Sequence, residues 1–142
     1  METKLTETVE NLAQQQFAVG NDLVFVPGFE ASLTPGFKNK VYTEQEMAYC
    51  DQFADALLRY ASTWAAKEAV YKAVKQLDKS TAAWKKIEIV REKIGGRPHV
   101  VLHKPQLSGI NVSLSITHDG DYAWAVAIAT TGLYARPLTS TG

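Results

Sequence analysis

Three charged side chains stand where they could do chemistry together. Asp22 lies inside the strand-like run Phe17–Val26, and Glu68 and Lys72 lie four residues apart in the run Trp64–Lys72. Two carboxylates and an ammonium can hold a divalent cation against a pyrophosphate. Mg²⁺ takes oxygen ligands, usually one or two carboxylates, with waters and substrate phosphates completing its shell. Asp22 is out of place by strand logic, because Asp is disfavoured there and an unpaired buried charge costs roughly several kcal/mol. A cation is the simplest compensation. On spacing alone, Glu68 and Lys72 read first as a surface ion pair in the favourable order, worth about 0.3–0.5 kcal/mol. Asp22 changes that weighing.

The elements that must position these groups follow from periodicity. Phe17–Val26 reads as a strand with Phe17, Val19, Leu23 and Phe25 on one face and Ala18, Gly20, Asp22, Val24 and Val26 on the other. Small residues beside Asp22 leave room for close approach. Pro27–Tyr42 is rich in turn signals, and Thr43 with Glu46 forms a capping-box signature ahead of a helical run through Leu58. Ser62 or Thr63 is the expected cap of a second helix ending near Leu77, with Trp64, Glu68, Lys72 and Lys75 in one row. Beyond Lys79 the period changes. Strands are expected over Lys86–Arg91, His99–His103 and Asn111–His118, the last joined by an Asp119-Gly120 hairpin turn to a strand with an all-alanine face at 123, 125, 127 and 129. That face invites a helix or another subunit. The class is α+β, in one domain over 17–130, with an extension at 1–16 and a polar tail at 131–142.

Composition narrows the function classes. At 142 residues, 46% apolar and 21% charged, the sequence is that of a globular domain. Lys plus Arg equals Asp plus Glu at 15 each, which gives no hint of a nucleic-acid or membrane partner. The single Cys50 excludes an intrachain disulfide and reads as a packed thiol. No signal peptide and no membrane span are evident, so the expected location is cytoplasmic.

Taken with their spacing, Val19-Gly20-Asn21-Asp22, Trp64-Ala65-Ala66-Lys67-Glu68-Ala69 and Lys72 resemble the 4′-phosphopantetheinyl transferases. The single-domain length points to the holo-acyl-carrier-protein synthase type, and the similarity is to its actinobacterial members. Tyr42–Glu46, Gly96-Arg97-Pro98 and Leu114–His118 followed by Asp119–Tyr122 add to the resemblance. It implies transfer of phosphopantetheine from coenzyme A to a serine of an apo acyl carrier protein, or of a carrier domain within a fatty-acid synthase. It implies Mg²⁺ on Asp22 and Glu68, a phosphate-neutralising Lys72, and a general base that is either Glu68 or a carboxylate-held water. It also implies coenzyme contacts from Gly96, Arg97, Pro98 and His118, and a homotrimer with sites between subunits. Lys67 matches the motif but points away from Glu68, so a structural role and a coenzyme-phosphate role stand level.

The plainer readings stand beside these. His118 ends an apolar strand face and alone reads as a core or turn histidine. Ser115 and His118 fall on opposite strand faces, which disfavours a hydrolase pair. Gly95-Gly96 is too short for a P-loop. This chain also departs from its relatives. It has Val26-Pro27-Gly28-Phe29 where many carry a docking Arg, Thr63 where an Arg often precedes the aromatic residue, and Asn21 where Ile or Val is usual. Lys38 and Lys40 are the replacements expected to dock an acidic carrier. The rival functions are a non-catalytic module that binds coenzyme A or carrier domains, and a metal-dependent pyrophosphate hydrolase.

Overall fold

The computed structural model describes residues 5–6, 16–80, 82–92 and 96–132. Most of the expected extension, most of the tail, and Gly95 lie outside the described residues. β1 (Phe17–Phe25) leads into the short helices α1 (Val26–Phe29) and α2 (Pro35–Val41), then α3 (Glu44–Asp51) and the long α4 (Ala56–Leu77). β2 (Ile87–Val90) and β3 (His99–Leu102) follow, and β4 (Asn111–Asp119) and β5 (Tyr122–Thr130) close the order. One antiparallel sheet runs β1-β5-β4, and β2 and β3 form a second antiparallel pair. The fold is α+β, as the patterning predicts. Among the described residues no helix is long and apolar enough to cross a membrane.

The alternation in β1 and β5 decides what α4 packs against. Ala123, Ala125, Ala127 and Ala129 are fully buried, as are Ala65, Ala66, Ala69, Val70 and Ala73 on the helix. Methyl-sized side chains on both surfaces let helix and sheet approach closely. Gly20 takes this to its limit, since a Cβ there would lie 2.1 Å from the Ala69 carbonyl oxygen and 2.7 Å from the Ala73 nitrogen. Gly20→Ala must therefore push β1 off the helix, with an expected loss of about 1–3 kcal/mol in urea unfolding. Gly109→Ala, which meets nothing within 4 Å, is the matched control and should be near neutral.

The alanine face is thus taken by a helix of the same chain. The opposite face is the open one. There Val19 pairs with Ile128, Leu23 with Trp124 and Phe25 with Tyr122, and all six side chains are exposed. An apolar patch of this extent marks an interaction surface.

Three boundaries differ from the sequence reading, the first being that the helical run expected through Leu58 ends at Asp51 and resumes only at Ala56. α4 starts at Ala56 instead of at a Ser62 or Thr63 cap. Thr63 is interior, and its hydroxyl donates back to the Arg59 carbonyl at 2.9 Å, a bond that competes with capping. Within the expected loop, Thr34 caps α2 by accepting from the Phe37 amide at 3.1 Å, with Pro35 at the first helical position. The capping box at Thr43 and Glu46 forms as expected. The hairpin turn forms as well, with Gly120 at φ +55°, a conformation glycine adopts without strain.

Candidate active site

The close approach at Gly20 sets Asp22 beside the middle of α4. The Lys72 ammonium lies 2.8 Å from Asp22 Oδ1 and also donates to the Asn21 carbonyl at 3.2 Å. Asp22's side chain is only 12% exposed, so the compensation its strand position demands comes first from Lys72. That hydrogen bond holds the Lys72 ammonium above its ordinary pKa. Gln76, one turn beyond Lys72, donates to the Val19 carbonyl at 2.9 Å and fixes the strand's register on the helix.

Glu68 completes the group. Burial, then the charge of Asp22, then a hydrogen bond shared with Asp22 raise its carboxyl from 4.5 to about 7. Two carboxylates in contact cannot both ionise freely, so one proton is retained on the pair near neutrality. A divalent cation between them would replace that proton, and the half-exposed Lys72 would face a bound anion. Among the described residues no group of three His, Cys, Asp or Glu side chains comes together. A metal held here would thus rest on the Asp22–Glu68 pair, the ligand count hard oxygen-seeking cations such as Mg²⁺ accept when a phosphate supplies the rest.

The raised Glu68 value fixes the sign of a pH effect. Between about 4.5 and 7 the native state holds more proton than the unfolded chain, so metal-free stability contributed by this group falls as pH rises through that window. We expect added Mg²⁺ to raise the melting temperature at pH 8 and to have no effect at pH 5, where Glu68 keeps its proton.

Other predicted site residues separate into three places. Lys67 is fully buried. Its ammonium pairs with Glu46 Oε1 at 2.9 Å, donates to the Trp84 carbonyl at 2.8 Å and bonds the Ile87 carbonyl. Those three acceptors use all three of its protons, leaving none for a coenzyme phosphate. Of the two roles that stood level for Lys67, this geometry is that of the structural one, a core strut. Gly96, Pro98 and His118 line one cleft, on the α4 side of the sheet. Arg97 lines a different one with Ser113, Ser115, Val126 and Ile128, on the open face. It therefore does not join His118 within one chain, because alternate side chains at 96–98 point to opposite sides.

Three residues of the His118 cleft do not stand out in the sequence, Tyr49, Arg59 and Arg91. Each sits in an otherwise ordinary helix or strand run, and only the packing of α3, α4 and β2 brings them together.

A family model for the 4′-phosphopantetheinyl transferase superfamily matches residues 18–127. The chain belongs to that superfamily. The holo-[acyl-carrier-protein] synthase of Koribacter versatilis is 36% identical over 118 residues, covering 77% of this chain and 94% of that protein. The fatty acid synthase alpha subunit hexA of Dothistroma septosporum is 40% identical over 121 residues, covering 80% of this chain. The chain spans only 7% of that subunit. Among solved structures, the ACPS-CoA complex of Chronobacterium ammoniagenes superposes with a TM-score of 0.71 at 28% identity, covering 82% of this chain and 98% of that one.

Proposed function

We propose that the chain transfers 4′-phosphopantetheine from coenzyme A to a serine of an apo acyl carrier protein or of a fatty-acid-synthase carrier domain, with Mg²⁺, in the cytoplasm. The observation that carries this reading is the contact of Asp22 with both Glu68 and Lys72. The serine oxygen forms a bond to the β-phosphorus of coenzyme A as the bond to the adenosine-side phosphate breaks. Adenosine 3′,5′-bisphosphate leaves. The serine proton passes to Glu68 or to a water that the carboxylates hold. Mg²⁺ on Asp22 and Glu68 would supply charge neutralisation on the pyrophosphate. Lys72 exchanges its contact with Asp22 for a phosphate oxygen, and such positioned charge is the larger part of phosphoryl-transfer catalysis. His118, Gly96 and Pro98 contact the coenzyme from the neighbouring cleft.

Carrier docking falls to α2, which presents Lys38 and Lys40, and packs near the exposed Lys85 and Lys86. These charges suit an acidic carrier. The open apolar face of β1 and β5 supports a homotrimer, in which Arg97 would serve a coenzyme held against the neighbouring subunit. Light scattering coupled to sizing should give three times the chain mass, and a monomer at working concentration would contradict it. The test of the transfer itself is the intact mass of an apo carrier domain after incubation with the chain, coenzyme A and Mg²⁺. A phosphopantetheine-sized gain is expected. No gain across several carriers, from folded protein that binds coenzyme A, would leave a binding module in its place.

A further inference from the structure

Glu68 takes a hydrogen bond that the metal and phosphate chemistry above does not use. One turn before it on α4, the Trp64 indole N–H donates to the Glu68 carboxylate. The same carboxylate shares a second hydrogen bond with Asp22. The two bonds have different fates once a cation sits between the carboxylates. Displacing the proton shared by Asp22 and Glu68 removes the bond that joins them. The indole bond stays, because a carboxylate has lone pairs enough for both a donor and a metal. Lys72 does not take over the task, since its hydrogen bonds go to Asp22 and to the Asn21 carbonyl.

Trp64 is itself held from two sides. Phe37 of α2 meets its ring edge-on with centroids 5.1 Å apart, and Trp84 does so at 4.8 Å. Trp84 is fixed in turn, because its carbonyl accepts from the buried Lys67 at 2.8 Å and Tyr71 packs on its ring at 5.2 Å. Edge-to-face pairs set the orientation of a ring as well as its position. The half-buried indole would lose both contacts by turning its N–H away from Glu68. Lys67 and Glu68 point in different directions, yet the two tryptophans join them. We propose that Trp64 is a positioning residue, which aims the Glu68 carboxylate at the cation and keeps it aimed when the bond to Asp22 is gone. The inference rests on the transferase reading for its effect on rate, while the metal site it describes needs no carrier protein. Mg²⁺ demands near-ideal octahedral geometry, so a ligand free to swing binds it less tightly. Hydrogen bonds that orient metal ligands are typically worth about 10–100-fold in affinity or activity. A purely structural Trp64 would leave metal affinity unchanged.

The experiment is calorimetric titration of Mg²⁺ into the full chain saturated with coenzyme A, corrected by the same titration into coenzyme A alone. It is run for wild type, Trp64→Phe and Phe37→Leu, and kcat and KM for coenzyme A are read beside it from the carrier's intact mass. Trp64→Phe keeps a ring between Phe37 and Trp84 and loses only the donor and part of the packing. It is expected to weaken Mg²⁺ by about tenfold and to lower kcat by about tenfold, with KM for coenzyme A within about twofold. Phe37→Leu keeps the N–H and loosens the ring, so a smaller loss in the same direction is expected. Mg²⁺ affinity in folded Trp64→Phe within about twofold of wild type overturns the positioning role, whatever the rate does. Should Trp64→Phe fail to fold, Phe37→Leu decides, and unchanged Mg²⁺ affinity there overturns the role. A wild type that binds Mg²⁺ tenfold more tightly than Trp64→Phe, yet modifies no carrier, would sink the transferase reading and keep the positioning role. Carrier modification by wild type, with equal Mg²⁺ affinity in the two, would do the reverse.

Discussion

Asp22→Asn is expected to lower carrier modification by at least about a hundredfold, the scale seen when one preorganised charge-stabilising group is removed from an active site. The substitution keeps the size of the side chain and its ability to accept from Lys72. It removes the charge that, with Glu68, would hold a divalent cation on the pyrophosphate. Stability should change by less than about 1 kcal/mol, since the ion pair it weakens has a half-exposed lysine and the like-charge contact with Glu68 is relieved at the same time. Initial rates read by intact carrier mass, beside a urea melt of the same preparation, check both halves. A rate within tenfold of wild type would remove Asp22 from the site.

Lys67→Met is expected to have the opposite profile, a large loss of stability whose effect on the reaction is indirect. It leaves Glu46 as a buried carboxylate without its cation, which costs about 3–5 kcal/mol. Glu46 also accepts from the Thr43 amide at 2.9 Å and the Ile89 amide at 2.8 Å, so it ties α3 to β2, and Lys67 ties both to α4. Burial pulls the Lys67 ammonium down and pushes the Glu46 carboxyl up, and the 2.9 Å pair opposes both shifts. Replacing both partners, Lys67→Met with Glu46→Leu, should recover much of the loss, because a buried ion pair replaced by apolar groups is often neutral. Urea unfolding of wild type, single and double variants forms the test. A single variant within about 1 kcal/mol of wild type would show that the pair is dispensable.

What could be read before the fold was known follows from which signals are local. The period-two alternation in β1 put Asp22 and Gly20 on one face, and the four-residue spacing put Glu68 and Lys72 on one helix row. Both survive in the structure because strand and helix geometry fix them without help from elsewhere. The capping box at Thr43 was local too. Its Glu46, however, does a second task in the core that no local pattern announces, since Lys67 approaches it from a different helix. Ser62 and Thr63 misled because their types favour caps, while tertiary burial carried α4 past them to Ala56. The alanines of β5 showed that something packs closely, yet not whether it is a helix or another subunit. Arg59 and Arg91 converge only through the ring contacts of Tyr49 and Phe53, and Arg97 parts from His118 because the chain alternates faces at 96–98.

The placement of a divalent ion on the coenzyme pyrophosphate by Asp22 and Glu68 can be measured directly with Mn²⁺ as the probe, by phosphorus NMR of coenzyme A bound to the chain. The account predicts that Mn²⁺ broadens the two pyrophosphate resonances in wild type more than the 3′-phosphate resonance, and that Glu68→Gln abolishes the difference. Equal broadening of all three resonances, or broadening that survives in Glu68→Gln, would contradict it.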